Sequence, residues 1–272
     1  FWLKFEVDCH GGLGGRDPGP RCPGVSRLMQ GGFSVNNGLA HDDDPGWDAL
    51  WDEVHQVIAY LGQTPAPVRR DAAPVLPPQT AEDQGRITLV LDLDETLVHC
   101  SPDRLGTSPD CFVRFDDTSA VGCVYCRPFA KLFLEITAQF FEVVIFTAST
   151  PAYADQVLDV LDPRQLLVRH RLYRQHCTVV DGGYMKDLSQ LGRRLESVVL
   201  VDNSPISLVL NPDNGILCST WLGDAQDKEL LDLLAMLRTL EGDVQQVLEA
   251  RYGLRKYFSK LKRASEAAGV LQ

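Results

Sequence analysis

The sequence predicts a doubly wound α/β domain, a parallel sheet with helices on both faces. Three observations point there. Short apolar runs at Ile87 to Leu91, Val143 to Phe146 and Val198 to Val201 read as strands buried on both faces. Amphipathic helical segments separate them. Each run ends in polar residues that could meet at one edge of the sheet, where ligands bind in such folds.

The elements follow in order from residue 86. Residues 87–91 form the first buried strand. Residues 111–115 and 122–127 read as two short strands near Gly122. Pro128 to Phe140 reads as a helix with Pro in its first turn and Phe129, Leu132, Phe133 and Ile136 on one face. Residues 143–146 are a second buried strand, and Pro151 to Leu161 a second helix. Residues 166–173 and 177–180 look extended, with a hairpin signal at Asp181-Gly182-Gly183. Residues 198–201 and 215–218 are further strands, and Asp227 to Leu240 is a strong amphipathic helix.

Composition sets the outer bounds. Of 272 residues, 44% are hydrophobic and 23% charged, a globular balance that excludes a fibre or a wholly disordered chain. The net charge of −11 argues against unspecific nucleic-acid binding, and no direct nucleic-acid partner is expected. The segment from Arg251 to Gln272 is an exception, with six basic residues and one acid. Tyr252, Leu254, Tyr257, Phe258 and Leu261 are interleaved with them, as in an amphipathic closing helix; contact with an anionic membrane or nucleic acid is the alternative. Eight cysteines in a chain this long suggest reduced thiols inside a cell rather than a disulfide scaffold. No run of about 18 apolar residues is present, so no transmembrane segment is expected. The chain starts at Phe1 rather than Met, which suggests a fragment and leaves an upstream anchor open.

Gly and Pro fill 21 of the first 85 positions but 17 of the following 187. Residues 1–85 are therefore expected to be mostly disordered, with too little apolar area to offset the entropy of ordering. Trp47, Leu50, Trp51, Val54, Val57, Ile58 and Leu61 are one island at helical spacing. That amphipathic helix, about 47–61, would pack on the main domain or dock a partner. The expected organisation is thus 1–85, a domain over 86–250, and a basic tail over 251–272.

Asp92 and Asp94 sit two apart directly after the first buried strand. Two carboxylates there repel unless a cation lies between them. Oxygen ligands from Asp and Asn suit Mg²⁺, which shares its shell with phosphate and water. Thr147 follows the second strand, and Asp202-Asn203-Ser204-Pro205 ends the third. Lys186 follows the Gly182 turn and could neutralise a phosphoryl group. Alone, each has a plain reading: an Asx turn, an N-cap, a solvated lysine, a helix start. Their joint occurrence at successive strand ends is what carries weight.

Asp92-Leu93-Asp94-Glu95-Thr96-Leu97 resembles the first motif of the haloacid-dehalogenase superfamily. With Val98-His99 following, it resembles the RNA polymerase II C-terminal-domain phosphatases, especially the small ones. The resemblance spans roughly residues 86–245 and includes Arg127-Pro128-Phe129, Phe146-Thr147-Ala148-Ser149, Tyr153-Ala154-Asp155, Leu172-Tyr173-Arg174, Tyr184-Met185-Lys186-Asp187-Leu188-Ser189 and Val201-Asp202-Asn203-Ser204-Pro205. It implies a Rossmann-like core with a small β insertion within residues 98–127. It implies Asp92 as the nucleophile that becomes an aspartyl phosphate, and Asp94 as the acid and then the base. Asp92, the Asp94 carbonyl and Asn203 would hold Mg²⁺. Thr147 would bind a phosphoryl oxygen, Lys186 would offset phosphate charge, and Asp202 would orient Lys186. Arg174 would meet substrate phosphate, and Tyr153 would stand on the peptide-binding wall.

The implied function is a Mg²⁺-dependent protein serine/threonine phosphatase acting on phosphoserine in peptides such as the polymerase tail. Alternatives are a non-catalytic binding module on the same scaffold, like the mitochondrial translocase receptor, or a nuclear-envelope phosphatase acting on a lipid-synthesis enzyme. A monomer inside the cell is expected, in the nucleus rather than the cytoplasm. Cys123-Val124-Tyr125-Cys126 does not fit a zinc site, since Cys111, His99 and Cys100 have the wrong spacing. His99 and His170 are expected to be structural.

Overall fold

The computed structural model describes residues 73–115, 120–180, 183–256 and 258–259. The expected helix at 47–61, the composition-based disorder of residues 1–72 and the end of the basic tail lie outside them.

The central sheet has five strands, all parallel, in the order β10-β9-β1-β5-β6. They are β1 (Thr88–Leu91), β5 (Glu142–Phe146), β6 (His170–Leu172), β9 (Val198–Asp202) and β10 (Gly215–Leu217). In sequence between β1 and β5 lie β2 (Val98–Ser101), β3 (Cys111–Arg114) and β4 (Val121–Cys126). They form a separate antiparallel sheet in the order β2-β4-β3. That is the small β insertion. A hairpin of β7 (Thr178–Val180) and β8 (Gly183–Met185) precedes β9. The helices are α1 (Ala130–Phe140), α2 (Pro151–Leu161), α3 (Pro205–Leu208), α4 (Glu229–Leu237) and α5 (Val244–Arg251). This is the parallel α/β core with a small β insertion that the sequence predicts.

Every residue of β1, β5 and β9 is buried, as their unbroken apolar runs require. Alternate residues face opposite layers. Val90, Val144, Phe146 and Leu200 share one cluster with Leu188 and Leu208. α1 packs on β5 and on α4.

β1 pairs with β5 on one side and with β9 on the other, in register Leu91 to Ile145 and Leu91 to Val201. The chain leaves β1 towards β5 and later returns to β1's opposite edge. That reversal opens a crevice at the carboxyl end of β1.

Several boundaries differ from the sequence reading, each for a local reason. The packed domain begins ahead of Arg86. The Val75 amide donates to the Gln190 carbonyl at 2.9 Å, and Leu76 is buried in the same cluster as Leu188. Composition alone hides this, because one leucine and a few hydrogen bonds anchor an otherwise Pro-rich stretch. At the other end Leu254 and Phe258 join that cluster, so the basic segment starts inside the domain. α1 starts at Ala130, because Phe129 adopts a left-handed conformation (φ 68°) that turns the chain just before the helix. Only His170–Leu172 of the extended stretch 166–173 is strand. The buried carboxylate of Asp162 accepts the amides of Leu166, Leu167 and Val168 at 3.0, 2.9 and 2.9 Å, which holds that run as a turn. β2 is a third insertion strand that the sequence reading did not separate. β4 runs through Cys123 and Cys126, so the two point to opposite faces. The six cysteines among the described residues are free thiols.

Candidate active site

Three strands deliver the site. Asp92 follows β1, and its amide donates to the Val201 carbonyl of β9 at 3.0 Å. Thr147 follows β5, and its amide donates to the Leu172 carbonyl of β6 at 2.9 Å. Asp202 is the last residue of β9, and its carbonyl accepts the Cys218 amide at 3.0 Å. Sheet hydrogen bonds therefore fix all three α-carbons.

Lys186 comes from a different element, the end of the β7–β8 hairpin. Its side chain is buried, and Nζ donates to Asp92 Oδ1 and to Asp202 Oδ2, both at 2.6 Å. The ammonium also lies 5.8 Å from the Phe146 ring. Burial opposes its charge, but Asp202 and Asp92 outweigh it and hold Lys186 above the ordinary lysine range. Asp202 is further fixed by the Ser204 amide, which donates to Oδ1 at 2.7 Å.

Asp92 uses only Oδ1 for Lys186, and its Oδ2 meets no donor among the described residues. Burial pushes its pKa up to about 8; Lys186 opposes the rise, while Asp202 and Asp94 add to it. Two carboxylates share the one ammonium and the Asp94 charge also acts on Asp92, which leaves an excess of negative charge; a divalent cation would hold Asp92 ionised. Among the described residues no group of three His, Cys, Asp or Glu ligands is present. The oxygen donors available are Asp92, the Asp94 carbonyl and Asn203, a hard set that fits Mg²⁺. Asn203 is oriented from both ends. Its Oδ1 accepts from Thr96 and its Nδ2 donates to Thr220, each at 3.3 Å.

Asp94 is half-buried at the cleft. Its Oδ2 accepts from Ser149 Oγ at 2.6 Å and from Thr147 Oγ1 at 3.4 Å, and its Oδ1 accepts from Tyr153 Oη at 2.6 Å. Burial and the Glu95 charge push Asp94 up to about 6, against the pull of Ser149, Tyr153 and Thr147. That is near the range wanted of a group that gives and takes a proton at neutral pH. Glu95 itself is in the left-handed region (φ 58°), which folds the loop back so that its amide meets the Val98 carbonyl at 2.7 Å.

The structure thus forms two hydrogen-bonded clusters, Lys186 with Asp92 and Asp202, and Asp94 with Thr147, Ser149 and Tyr153; the charge of Asp94 is felt at Asp92, and Asn203 follows Asp202 in the chain. Arg174 borders the same crevice. Its Nε donates to the Ala148 carbonyl at 2.7 Å, and its guanidinium stacks over Tyr184 at 5.2 Å. The terminal guanidinium nitrogens meet no acceptor among the described residues. Only 1% of Tyr153 is exposed, and its hydroxyl meets Asp94. Burial and the Asp94 charge push its phenol well above the ordinary range, so it remains a donor. His99 and His170 pair with Glu95 (3.2 Å) and Glu142 (3.5 Å), outside both clusters.

Sequence reasoning gave no role to Ser149, Thr96 or Arg127. Ser149 lies inside a quoted motif, but its partner is 55 residues away. Arg127 is fully buried. It donates to the Thr96 carbonyl at 3.2 Å, the Ser219 carbonyl at 3.0 Å and both carboxylate oxygens of Asp227 at 2.8 Å. It ties the Asp92–Thr96 loop to the segment after β10.

Comparison with known proteins agrees with this geometry. Residues 87–248 match the family described as NLI interacting factor-like phosphatase. The "CTD small phosphatase-like protein 3" of Caenorhabditis elegans is 41% identical over 242 residues, covering 81% of this chain and 84% of that one. The "CTD nuclear envelope phosphatase 1" of Xenopus tropicalis is 41% identical over 209 residues, covering 72% and 84%. The "CTD small phosphatase-like protein 2" of Dictyostelium discoideum is 43% identical over 190 residues. The match covers 69% of this chain but only 33% of that relative, so the chain spans about a third of its length. No helix among the described residues is long and apolar enough to cross a membrane. The matched domain includes every residue of both clusters, and the chain belongs to the NLI interacting factor-like phosphatase family.

Proposed function

We propose that this chain is a Mg²⁺-dependent protein serine/threonine phosphatase working through an aspartyl phosphate on Asp92. The observation that carries the reading is the pair of 2.6 Å contacts from buried Lys186 to Asp92 and Asp202, beside a separately held Asp94. Asp92 Oδ2, the oxygen without a donor, attacks phosphorus in line with the substrate ester oxygen. As the phosphorus–oxygen bond breaks, Asp94 protonates the leaving serine or threonine oxygen. Water then attacks the aspartyl phosphate and Asp94 takes its proton, which returns Asp92 and inorganic phosphate. Thr147, Lys186 and Arg174 hold the phosphoryl oxygens. Mg²⁺ held by Asp92, the Asp94 carbonyl and Asn203 would supply charge that lets a phosphate dianion approach a carboxylate. Asp202 keeps Lys186 oriented.

Phosphoserine peptides of the polymerase-tail type are the proposed substrates, supported by the names of the two small-phosphatase relatives. The similarity to the nuclear-envelope phosphatase supports a second reading, the same chemistry in an enzyme of the nuclear membrane. Both readings put the chain in or at the nucleus. A binding module that uses the scaffold without catalysis makes the opposite prediction in the same assay. Hydrolysis of 4-nitrophenyl phosphate is measured with Mg²⁺ and with chelator, for wild type and Asp92→Asn. Metal-dependent turnover abolished by Asp92→Asn is expected, and phosphopeptides of different sequence then separate the substrates. No turnover by a folded wild type refutes the enzyme reading.

A further inference from the structure

The β7–β8 hairpin has two unlike faces. Met185 of β8 is fully buried and packs against Ile206, Val209 and Leu210, in and just after α3. Side chains alternate along a strand, so Tyr184 stands on the other face. Val179 of β7 is directly opposite Tyr184 in the register, and residues directly opposite share a face. The free face of an antiparallel pair is ordinarily polar. Here it carries a tyrosine and a valine, and Val179 is 55% exposed.

That apolar face is continuous with the phosphate end of the site. The Arg174 guanidinium lies 5.2 Å from the centre of the Tyr184 ring, while its Nε is tied to the Ala148 carbonyl. Arg174, Tyr184 and Val179 form a row that starts at the crevice and ends in solvent. Directly opposite Cβ atoms on paired strands are about 5 Å apart, so the row runs roughly 10 Å from the arginine to the valine. An extended peptide rises about 3.3 Å per residue, so the second residue from a phosphoserine lies about 7 Å along, on the same side as the phosphate. The length of a leucine side chain covers the rest of the distance to Val179.

We propose that Tyr184 and Val179 form a specificity subsite that takes an aliphatic side chain two residues from the phosphoserine. The proposal rests on the reading of the chain as a phosphopeptide phosphatase. On that reading Thr147, Lys186 and Arg174 grip a phosphate that every phosphopeptide shares, so discrimination between peptides comes from the flanks. An aliphatic side chain laid on Tyr184 and Val179 removes apolar surface from water on both partners, and a charged one gains nothing there. The contact lies away from the reacting atoms and is the same in the bound substrate and in the transition state. It therefore acts on KM and leaves kcat alone.

A peptide series tests it. kcat and KM are measured for phosphoserine peptides of one sequence carrying Leu, Ala or Glu two residues before or two residues after the phosphoserine. 4-Nitrophenyl phosphate, which has no flank, is measured beside them for wild type. On one side wild type should prefer Leu to Ala by about five- to tenfold in kcat/KM, the effect of burying part of a leucine side chain, and KM should carry it. Val179→Lys should bring that preference below about twofold and make Glu better than Ala by about threefold, the scale of an exposed ion pair. A residue that only holds the hairpin together would not exchange one preference for another. If Val179→Lys does not fold, Val179→Thr decides it. Thr keeps the branched shape that suits a strand, and it should weaken the Leu preference without creating one for Glu. Equal kcat/KM for Leu and Ala on both sides, a Leu preference that survives the substitution, or no hydrolysis of any peptide overturns the proposal while 4-nitrophenyl phosphate is still turned over. A folded wild type that hydrolyses neither the peptides nor 4-nitrophenyl phosphate removes the phosphatase reading itself.

Discussion

Replacing Arg127 with Met should cost about 4 kcal/mol of stability. The side chain is 0% exposed and ends in five donated hydrogen bonds, so Met fills a similar volume while removing every donor. Asp227, with 14% of its side chain exposed, loses both of its 2.8 Å bonds and is left as a nearly buried unpaired charge. Breaking such a pair by removing one partner costs about 3–5 kcal/mol. The Thr96 and Ser219 carbonyls also lose their donor, at up to about 1–3 kcal/mol each if water cannot reach them. Met's own apolar burial offsets part of this, which leaves the sum near the middle of the ion-pair range. For a domain of this size a loss of 4 kcal/mol lowers Tm by roughly 8–16 °C. The assay is urea unfolding followed by tryptophan fluorescence, with buried Trp221 close to the altered segment. The double variant Arg127→Met/Asp227→Leu should recover about half of the loss, since it removes the orphaned charge but not the orphaned carbonyls. A loss below about 1 kcal/mol, or a double variant no better than the single one, would falsify the view that Arg127 clamps the Asp92–Thr96 loop.

Other consequences can be measured as directly. Glu142 is 1% exposed; burial would raise its pKa, but bonds from Arg193, His170, Thr88 and Gln79 outweigh that and hold it well below the ordinary range. A carboxyl held low contributes stability that is present above its unfolded pKa of 4.5 and is lost as pH falls towards its folded value. The gap in unfolding free energy between wild type and Glu142→Gln should be constant from pH 6 to 8 and shrink below about pH 4.5; a gap unchanged down to pH 3 refutes the pairing. At Gly122 a Cβ would lie 2.6 Å from Cys100 Sγ and 3.1 Å from Val113 Cγ2. Gly122→Ala should cost about 1–3 kcal/mol, and Cys100→Ala should rescue it; absence of rescue means the strain lies elsewhere. A chain beginning at Arg86 lacks Leu76 and the Gln79 bonds to Glu142 and Arg86, and should be at least about 2 kcal/mol less stable than one beginning at Ala73. Equal denaturation midpoints would show that the upstream segment adds nothing.

The central strands were legible because burial on both faces demands unbroken apolar runs, and 87–91, 143–146 and 198–201 have them. Asp92, Thr147 and Asp202 were legible for a related reason, since polar residues directly after such runs must lie at the sheet's edge. Lys186 follows from motif order; its two 2.6 Å contacts depend on where the β7–β8 hairpin ends in the folded domain, which no local pattern encodes. Tyr153 marks the limit. Its spacing in α2 is that of any buried helical aromatic, and only the tertiary arrangement decides whether its hydroxyl faces a peptide or Asp94. Arg127 was hidden similarly, because a buried arginine is defined by partners about 30, 90 and 100 residues away. Asp162 shows the same effect on local structure: one carboxylate taking three amides turned an apparent strand into a loop.

The strand order also bears on how the chain is made. β1 finds its β5 neighbour early, but its other edge waits for β9, and about fifty residues separate the end of β5 from the start of β9. At about 5–20 residues per second of synthesis, that is roughly 3–10 seconds. Through that interval the strand leading to Asp92 is the bare, wholly apolar rim of a half-built sheet, the kind of edge that recruits other chains. The nascent protein is thus most exposed to aggregation, and most in need of a chaperone, while the strand leading to Asp92 is already made and its second neighbour is not.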